Sequence, residues 1–219
     1  MDMTVTQDGD VAVVRWSGGE NRLNVDSLGR LNQILDELAT IDGPLALVLT
    51  GDGKFFCNGL DLERFGANPA EFASTLEELQ RTIGRLMVFP RYTVAAINGH
   101  AFAGGALLSC AFDTRVMRVD RGYWCMNEAE IGLALDRTLF SILEHRLPRA
   151  TAIDAAITAR RFSAPEAKSL GIVEHVADAE DVLGRAVEIA QTYAGLNTLA
   201  LGKHKHLAHG GEAAVLGFS

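Results

Sequence analysis

The sequence is poor in cysteine, and its few cysteines show no pairing pattern. Cys57, Cys110 and Cys125 are odd in number and irregularly spaced, which does not fit a disulfide framework and favours a reducing compartment. Three of the histidines fall within residues 204–209, but no carboxylate or cysteine set stands beside them to complete a metal site. We therefore expect reduced thiols, no metal and a cytoplasmic protein.

Positive charge is also scarce, since the net charge of −8 leaves little room for a basic face that could bind nucleic acid. The N-terminal residues lack the basic start and apolar stretch of a signal peptide. The longest uncharged run, residues 92–112, has the length of a membrane span. It contains Asn98, His100 and Ser109 among glycines, so a buried strand, turn and helix explain it better. We expect neither a nucleic-acid partner nor membrane insertion.

Two glycine-bearing turns and one acidic segment are the most informative features present. They read FFCNGLDL at 55–62, NGHAFAGG at 98–105 and MNEAEIG at 126–132. Glycine lets a backbone N–H approach a ligand closely, and two such groups aimed at one oxygen would form an oxyanion hole. The acidic segment offers carboxylates that could take or give a proton beside it. Such glycine turns are also common strand-to-helix connections in any α/β fold.

The hydrophobic pattern alternates strands with helices and predicts an α/β domain. A hairpin is predicted around Asp8-Gly9, and Asp26 is predicted to cap a helix with five apolar residues on one face. A capping box begins a later helix at Ser163, which Gly171 closes. Further strands are predicted at 45–50, 93–97, 114–119, 123–126 and 172–176, and further helices at 69–87, from about 104, and at 178–209 with a break near 195–197. We divide the chain into a core domain, 1–195, and a short C-terminal helical tail, 196–219.

The pattern places a ligand where strands meet helix N-termini. Neither turn carries GxGxxG or GxxxxGK[ST], which disfavours a dinucleotide or P-loop site. No GxSxG elbow supports a serine hydrolase.

From about Val11 to His204 the sequence resembles the crotonase superfamily, also called the enoyl-CoA hydratase/isomerase family. The segments that carry the resemblance are LVLTGDGKFFCNGLDL at 47–62, AAINGHA at 95–101, GG at 104–105, FSAPEA at 162–167 and GIV at 171–173. The resemblance implies an α/β, ClpP-like spiral of ββα units with C-terminal helices, assembled as homotrimers or hexamers. It also implies an acyl-CoA thioester substrate, of which coenzyme A is a part, and no separate cofactor.

The resemblance maps the family's two oxyanion-binding N–H groups onto Leu60 and Gly104. Family hydratases hold a water with two glutamates, but here Leu107 occupies the first position and only Glu128 remains at the second. A single glutamate is what the family's Δ3,Δ2-enoyl-CoA isomerases use, and residues 56–62 and 126–133 resemble the isomerases of that kind found in plant peroxisomes. The expected activity is therefore the shift of a 3-enoyl-CoA double bond to trans-2-enoyl-CoA in fatty acid β-oxidation. Glu128 would remove a C2 proton and return it at C4.

The resemblance also suggests residues that bind the substrate. Asn58, Gly59 and Asp61 belong to a loop that would lie against the adenine and pantetheine of CoA, although Asp61 also suits a structural role. Lys203 and Lys205 could reach CoA phosphates, and a solvated helix face accounts for them equally well.

Other chemistries stay open at this point. Asp136 suits a helix N-cap, but family members that isomerise dienoyl-CoA or hydrolyse an aryl-CoA chloride place an acid there. Each of these two groups matches this chain only in part. The dienoyl-CoA isomerases carry an aspartate at the position of Leu107, and the dehalogenases lack the glutamate found here at Glu128. Glu130 is a weaker candidate that would share a face with Glu128 on an extended segment. A weak enoyl-CoA hydratase and a non-catalytic CoA-binding protein are the remaining alternatives.

Overall fold

The computed structural model describes residues 3–218, which form nine β-strands and nine α-helices. The strands are β1 Met3–Asp8, β2 Val11–Trp16, β3 Ala46–Gly51, β4 Phe55–Cys57, β5 Tyr92–Ile97, β6 His100–Phe102, β7 Thr114–Arg118, β8 Trp124–Cys125 and β9 His175–Ala177. The helices are α1 Val25–Ala39, α2 Leu62–Ala67, α3 Ala70–Met87, α4 Gly104–Cys110, α5 Arg137–Arg146, α6 Arg149–Thr158, α7 Ala164–Ser169, α8 Val182–Tyr193 and α9 Thr198–Val215.

The larger sheet has the strand order β1-β2-β3-β5-β7-β9. β1 and β2 form the predicted antiparallel hairpin, and the later neighbours pair in parallel. Side chains alternate between two buried faces, as strands require: Val11 and Val13 join the cluster that α8 covers, whereas Ala12 and Val14 join the main core.

The smaller sheet, ordered β4-β6-β8, assembles the site. Three times in succession the chain leaves a strand of the larger sheet and enters a strand of the smaller one: β3 to β4, β5 to β6, and β7 to β8. The three strands of the smaller sheet are parallel to one another. Parallel neighbours end at the same edge of a sheet. Residues 58–60, 103–104 and 126–128, which follow these strands, therefore lie together. The expected α/β spiral of ββα units is confirmed.

The cap of α1 differs from the prediction, because Asn24 and not Asp26 begins the helix. The Asn24 Oδ1 accepts the N–H groups of Asp26 and Ser27 at 3.1 and 3.0 Å, and the Ser27 Oγ accepts the Asn24 N–H at 3.0 Å. Asp26 thus lies in the first turn, where a negative charge is also favourable. The predicted apolar face is buried, and the capping box at Ser163 and the positive φ of Gly171 are present.

The last strand lies at residues 175–177, later than the predicted 172–176. The N–H groups of Ile172 and Val173 both donate to the carbonyl of Ala167, at 2.8 and 3.2 Å. They close the C-terminus of α7 and are not free to pair in a sheet. The short helix α2 was not predicted, because six residues give too little periodicity to detect.

The break near 195–197 separates α8 from α9, as predicted, but α9 runs on to Val215 through Gly210 and Gly211. α9 packs against α3, where a Cβ on Gly84 would lie only 3.1 Å from the Ala213 carbonyl oxygen. The division of the chain at residue 195 stays a prediction. No helix among the described residues has the combination of length and apolarity needed to span a membrane.

Asn21 ties the end of β2 to the start of the first glycine turn. Its side chain is fully buried, and its Nδ2 lies 3.0–3.1 Å from the carbonyl oxygens of Trp16, Phe55 and Phe56. Its Oδ1 accepts the Gly18 N–H at 2.8 Å, and its φ of +53° suits asparagine better than alanine. We expect Asn21→Ala to lower the free energy of unfolding by roughly 3 kcal/mol, because several buried partners lose their hydrogen bonds.

Urea denaturation would measure this loss, with Asn68→Ala as the matched control. The Asn68 side chain donates a single exposed hydrogen bond to Glu71 at 2.8 Å, and its φ is negative. Its replacement should cost less than about 1 kcal/mol. Equal losses in the two variants would contradict a special role for Asn21.

Candidate active site

The two glycine turns meet at Gly59 and Gly104. A Cβ on Gly104 would lie 3.8 Å from the Gly59 Cα, and a Cβ on Gly59 would lie 3.4 Å from the Gly104 nitrogen. Gly59 has a φ of +80°. Both the close approach and the positive φ require glycine at residue 59. Gly59 therefore lets the turns pack together and does not itself border the cavity described below.

The N–H groups of Leu60 and Gly104 are the predicted oxyanion donors. A parallel bridge engages the residues on either side of Leu60: the Leu23 N–H donates to the Gly59 carbonyl at 2.8 Å, and the Leu23 carbonyl accepts the Asp61 N–H at 2.9 Å. Gly104 is the first residue of α4, where helix N–H groups have no intrahelical acceptor. Among residues 3–218, neither N–H donates to a protein acceptor. Both are thus available to a ligand.

Ala103 sets the direction of the Gly104 N–H. Its φ of +50° and ψ of −121° are unusual for a residue with a side chain and cost roughly 1–3 kcal/mol. Two backbone hydrogen bonds hold this residue in place. The Ala103 N–H donates to the Cys125 carbonyl at 2.9 Å, and the Ala103 carbonyl accepts the Leu107 N–H at 3.1 Å. The second turn is thus tied to both neighbouring elements of the site.

Glu128 is buried in the acidic segment, with 9 % of its surface exposed. Its Oε2 is buried and has no hydrogen-bond partner among the described residues. Burial raises the pKa of the carboxyl from 4.5 to about 7, against a smaller lowering by its own backbone N–H. A carboxyl with such a pKa can both accept and return a proton near neutrality.

Glu130 does not share a face with Glu128, so the expectation of an extended segment was wrong. The segment is a turn, because the Glu130 and Ile131 N–H groups both donate to the Asn127 carbonyl, at 3.1 and 3.2 Å. The Glu130 side chain is about half exposed and lies 3.8 Å from Arg161. Glu130 is thus outside the site.

A cavity of about 310 Å³ brings Glu128 together with Leu60 and Gly104. Asn58 and Asp136 also border it, and its volume is in the range of small-molecule sites. The wall is mostly apolar, with side chains of Leu60, Leu62, Phe72, Leu76, Leu79, Leu107, Ile131, Leu133, Leu135 and Leu139. Leu107, where the resemblance places the first glutamate of the hydratases, is buried on α4.

Asp136 is the N-cap of α5, and its Oδ1 accepts the Leu139 N–H at 2.7 Å. The side chain is exposed at the border of the cavity. Asp61 caps α2 by accepting the Arg64 N–H at 3.3 Å, and it borders a neighbouring polar cleft instead of the cavity. Both aspartates thus cap helices, which are the structural roles considered for them.

The structure does not bring Lys203 to the cavity. Lys203 is exposed on α9 beside Pro90 and Leu207, in a separate groove. Lys205 is not a solvated residue, because it is buried and lies 2.5 Å from Asp113. Helical position alone could not reveal this ion pair, since Asp113 precedes Lys205 by 92 residues in the sequence.

Two polar residues at the cavity, Arg22 and Asn127, were not predicted from the sequence. Asn127 has a buried Oδ1 without a partner among residues 3–218, and its position next to Glu128 was the available signal. Arg22 gave no signal, because its position at the cavity depends on how the loop before α1 packs against the first glycine turn. The Cys57 thiol is buried and its pKa rises to about 12, so it is not a nucleophile. The described residues contain no cluster of three or more potential metal-ligating side chains.

The sequence is similar to those of known proteins over most of its length. The model of the enoyl-CoA hydratase/isomerase family matches residues 10–209. The peroxisomal enoyl-CoA delta isomerase 1 of Arabidopsis thaliana is 31 % identical over 71 % of this chain and 66 % of its own length. A putative enoyl-CoA hydratase of Thermus thermophilus is 37 % identical over 88 % of this chain and 78 % of its own.

Solved structures share the fold across nearly the whole chain. Human mitochondrial delta3-delta2-enoyl-CoA isomerase has a TM-score of 0.91 and 26 % identity, with 99 % of this chain and 86 % of that chain covered. A probable enoyl-CoA hydratase of Mycobacterium tuberculosis has a TM-score of 0.91 and 28 % identity, with coverages of 99 % and 92 %. The chain belongs to the enoyl-CoA hydratase/isomerase family.

Proposed function

We propose that this protein is an enoyl-CoA isomerase that converts 3-enoyl-CoA to trans-2-enoyl-CoA. The observation that carries the proposal is the Glu128 carboxyl, buried without a partner in an apolar cavity beside the N–H groups of Leu60 and Gly104. Leaving a buried carboxyl unpaired destabilises a fold, so a protein that only bound CoA would gain nothing from it. Relatives named as enoyl-CoA delta isomerases and the delta3-delta2 isomerase of similar structure support the same activity.

The reaction needs one acid–base group and one oxyanion site. Ionised Glu128 removes a proton from C2, and the electron pair passes to the thioester oxygen to give a dienolate. The N–H groups of Leu60 and Gly104 donate hydrogen bonds to that oxygen. The resulting Glu128 carboxylic acid then protonates C4, the dienolate collapses to the 2-enoyl thioester, and Glu128 is ionised again. No cofactor takes part, and coenzyme A enters and leaves as part of the substrate.

Leu107 favours isomerisation over hydration. Its buried apolar side chain borders the cavity where hydratases of the family place a water-binding glutamate. A positioned acid or base contributes roughly 10²- to 10⁴-fold to a rate, so the loss of one of two should impair hydration severely. Keeping water away also protects the dienolate from side reactions.

The decisive experiment mixes the purified protein with trans-3-octenoyl-CoA and follows the absorbance of the conjugated 2-enoyl thioester. A parallel reaction measures hydration of trans-2-octenoyl-CoA. We expect rapid isomerisation and slow hydration. Faster hydration than isomerisation would instead assign the hydratase activity that is named for the Thermus thermophilus relative. Turnover of neither substrate would overturn the proposal.

The pH dependence of kcat/KM should follow the ionisation of Glu128, because only the carboxylate can accept the C2 proton. With a pKa raised to about 7 by burial, we expect kcat/KM to fall about tenfold for each pH unit below 7 and to level off above it. Initial rates with trans-3-octenoyl-CoA between pH 5 and 9 would test this. A kcat/KM that begins to fall only near pH 4.5 would contradict the buried, unpaired state of the carboxyl.

We also propose that the protein assembles as a homotrimer or hexamer. Leu199 and Leu207 are exposed on α9 and line an apolar groove at Pro90, and Val215 is exposed at the end of the same helix. Exposed apolar patches of this kind often mark protein interfaces. Light scattering after gel filtration should give three or six times the mass of one chain, and a monomer would contradict the proposal. Participation in fatty acid β-oxidation and a cytoplasmic location stay predictions.

A further inference from the structure

Arg22 lies between two depressions of different character. It is the one cationic side chain that borders the 310 Å³ cavity in the described part of the chain. It also borders a polar cleft of about 590 Å³. A ligand with an apolar end in the cavity and a long polar remainder in the cleft would therefore pass along Arg22.

Glu20 holds Arg22 in its present position. The Arg22 Nε donates to the Glu20 Oε2 at 2.7 Å, and a second guanidinium nitrogen lies 2.5 Å from the same oxygen. The Asn58 Nδ2 donates to that oxygen at 3.0 Å, and the Asn58 N–H donates to the Glu20 carbonyl at 3.0 Å. One carboxylate thus restrains two side chains, Arg22 and Asn58, that both border the cavity.

The polar cleft is otherwise unfavourable for an anion. Its carboxylates are those of Glu20, Asp26, Asp61 and Glu63, and its cations are Arg22 and Arg30. CoA carries a diphosphate and a 3′-phosphate, and these carboxylates repel both. The repulsion is offset if a phosphate replaces Glu20 as the ion-pair partner of Arg22. The exchange is chemically feasible, since a guanidinium binds phosphate in the same two-pronged way as carboxylate. The Arg22 side chain is 27 % exposed and that of Glu20 is 44 % exposed, so the pair can open to solvent.

Resting on the proposed acyl-CoA substrate, we propose that Arg22 binds a phosphate group of the CoA thioester and that Glu20 competes with this phosphate for the guanidinium. By pairing with Arg22 when no ligand is bound, Glu20 sets how strongly the site prefers phosphate-bearing thioesters over phosphate-free ones. Arg22 acts in specificity and not in the chemical step.

The test compares octanoyl-CoA with S-octanoyl pantetheine, which has the same acyl end and no phosphate. Both are saturated, so calorimetric dissociation constants do not depend on isomerisation. Arg22→Gln should weaken octanoyl-CoA binding about tenfold and pantetheine thioester binding less than twofold, since a charged hydrogen bond is lost only with the former. Glu20→Gln should tighten octanoyl-CoA binding about threefold, the strength of an exposed ion pair, while its amide oxygen still accepts from Asn58.

The controls are Arg118→Gln and Asp120→Asn. Arg118 and Asp120 form an ion pair of similar length and exposure, 2.6 Å with 18 % and 52 % of the side chains exposed, away from both depressions. These variants change the net charge equally and should leave both constants unchanged.

Three results would overturn the proposal: equal effects of Arg22→Gln on the two ligands, no effect on octanoyl-CoA, or weaker octanoyl-CoA binding by Glu20→Gln. Should Arg22→Gln fail to fold, the Glu20→Gln measurement decides alone. Wild-type protein that binds octanoyl-CoA without isomerising 3-enoyl-CoA would overturn only the proposed function. Absence of binding would overturn both.

Discussion

Glu128→Gln is expected to lower the kcat for isomerisation of trans-3-octenoyl-CoA by roughly 10³-fold or more, because the other carboxylate at the cavity, Asp136, is exposed and caps α5. Glutamine preserves the size of the side chain and leaves the cavity wall intact. Glu130→Gln is the matched control: it removes the same charge two residues away, from a side chain that is about half exposed and outside the cavity. Its kcat should stay within about twofold of the wild-type value.

The stability of Glu128→Gln separates lost chemistry from lost folding. A carboxyl whose pKa rises from 4.5 to about 7 on folding binds its proton more tightly in the folded state. The contribution of Glu128 to the free energy of unfolding is therefore highest below pH 4.5, falls between pH 4.5 and 7, and stays low above pH 7. The full difference is on the order of 3 kcal/mol. Glutamine has no charge to desolvate, so the variant should be the more stable protein at pH 8 in urea denaturation. An inactive variant that is also less stable at pH 8 would contradict the assignment.

The sequence supported the fold well where local pattern and tertiary packing agree. The apolar stripe of α1, the hairpin at Asp8-Gly9 and the capping box at Ser163 each depend on residues close in sequence, and each was predicted correctly. The errors arose where two residues could fill the same structural role and the sequence pattern did not show which of them would. Asn24 displaced Asp26 as a cap because Ser27 could complete a capping box.

The residues of the site were predictable only in part, for a related reason. Glu128, Leu60 and Gly104 each follow a recognisable segment, and the successive steps between the two sheets bring those segments to one edge. The place of Arg22 at the cavity and the ion pair of Lys205 depend on how distant parts of the chain pack together. The burial of Lys205 against Asp113 and the position of Arg22 beside Glu20 and Asn58 become visible only in three dimensions.

The contact between the two glycine turns leads to the second large effect, expected for Gly59→Ala. An alanine Cβ would lie 2.9 Å from the Ala103 Cβ and 3.1 Å from the Phe102 carbonyl oxygen, so one turn must move away from the other. The oxyanion donors on these turns, the N–H groups of Leu60 and Gly104, need to lie within about 0.5 Å of their productive positions. Because loss of one donor costs roughly 10²- to 10³-fold, we expect kcat to fall about 10²-fold with a smaller change in KM.

Gly53→Ala distinguishes this displacement from the ordinary cost of a positive φ. Gly53 has a φ of +67°, close to the +80° of Gly59, but a Cβ there would meet nothing within 4 Å. Both variants carry a backbone penalty of roughly 1–2 kcal/mol, which denaturation would measure. Only Gly59→Ala should lose kcat, since only there does the new methyl group press on the second turn. If Gly59→Ala kept the wild-type kcat, the two turns would not act as a paired oxyanion site. If both variants lost kcat alike, general strain and not the spacing of the donors would be the cause.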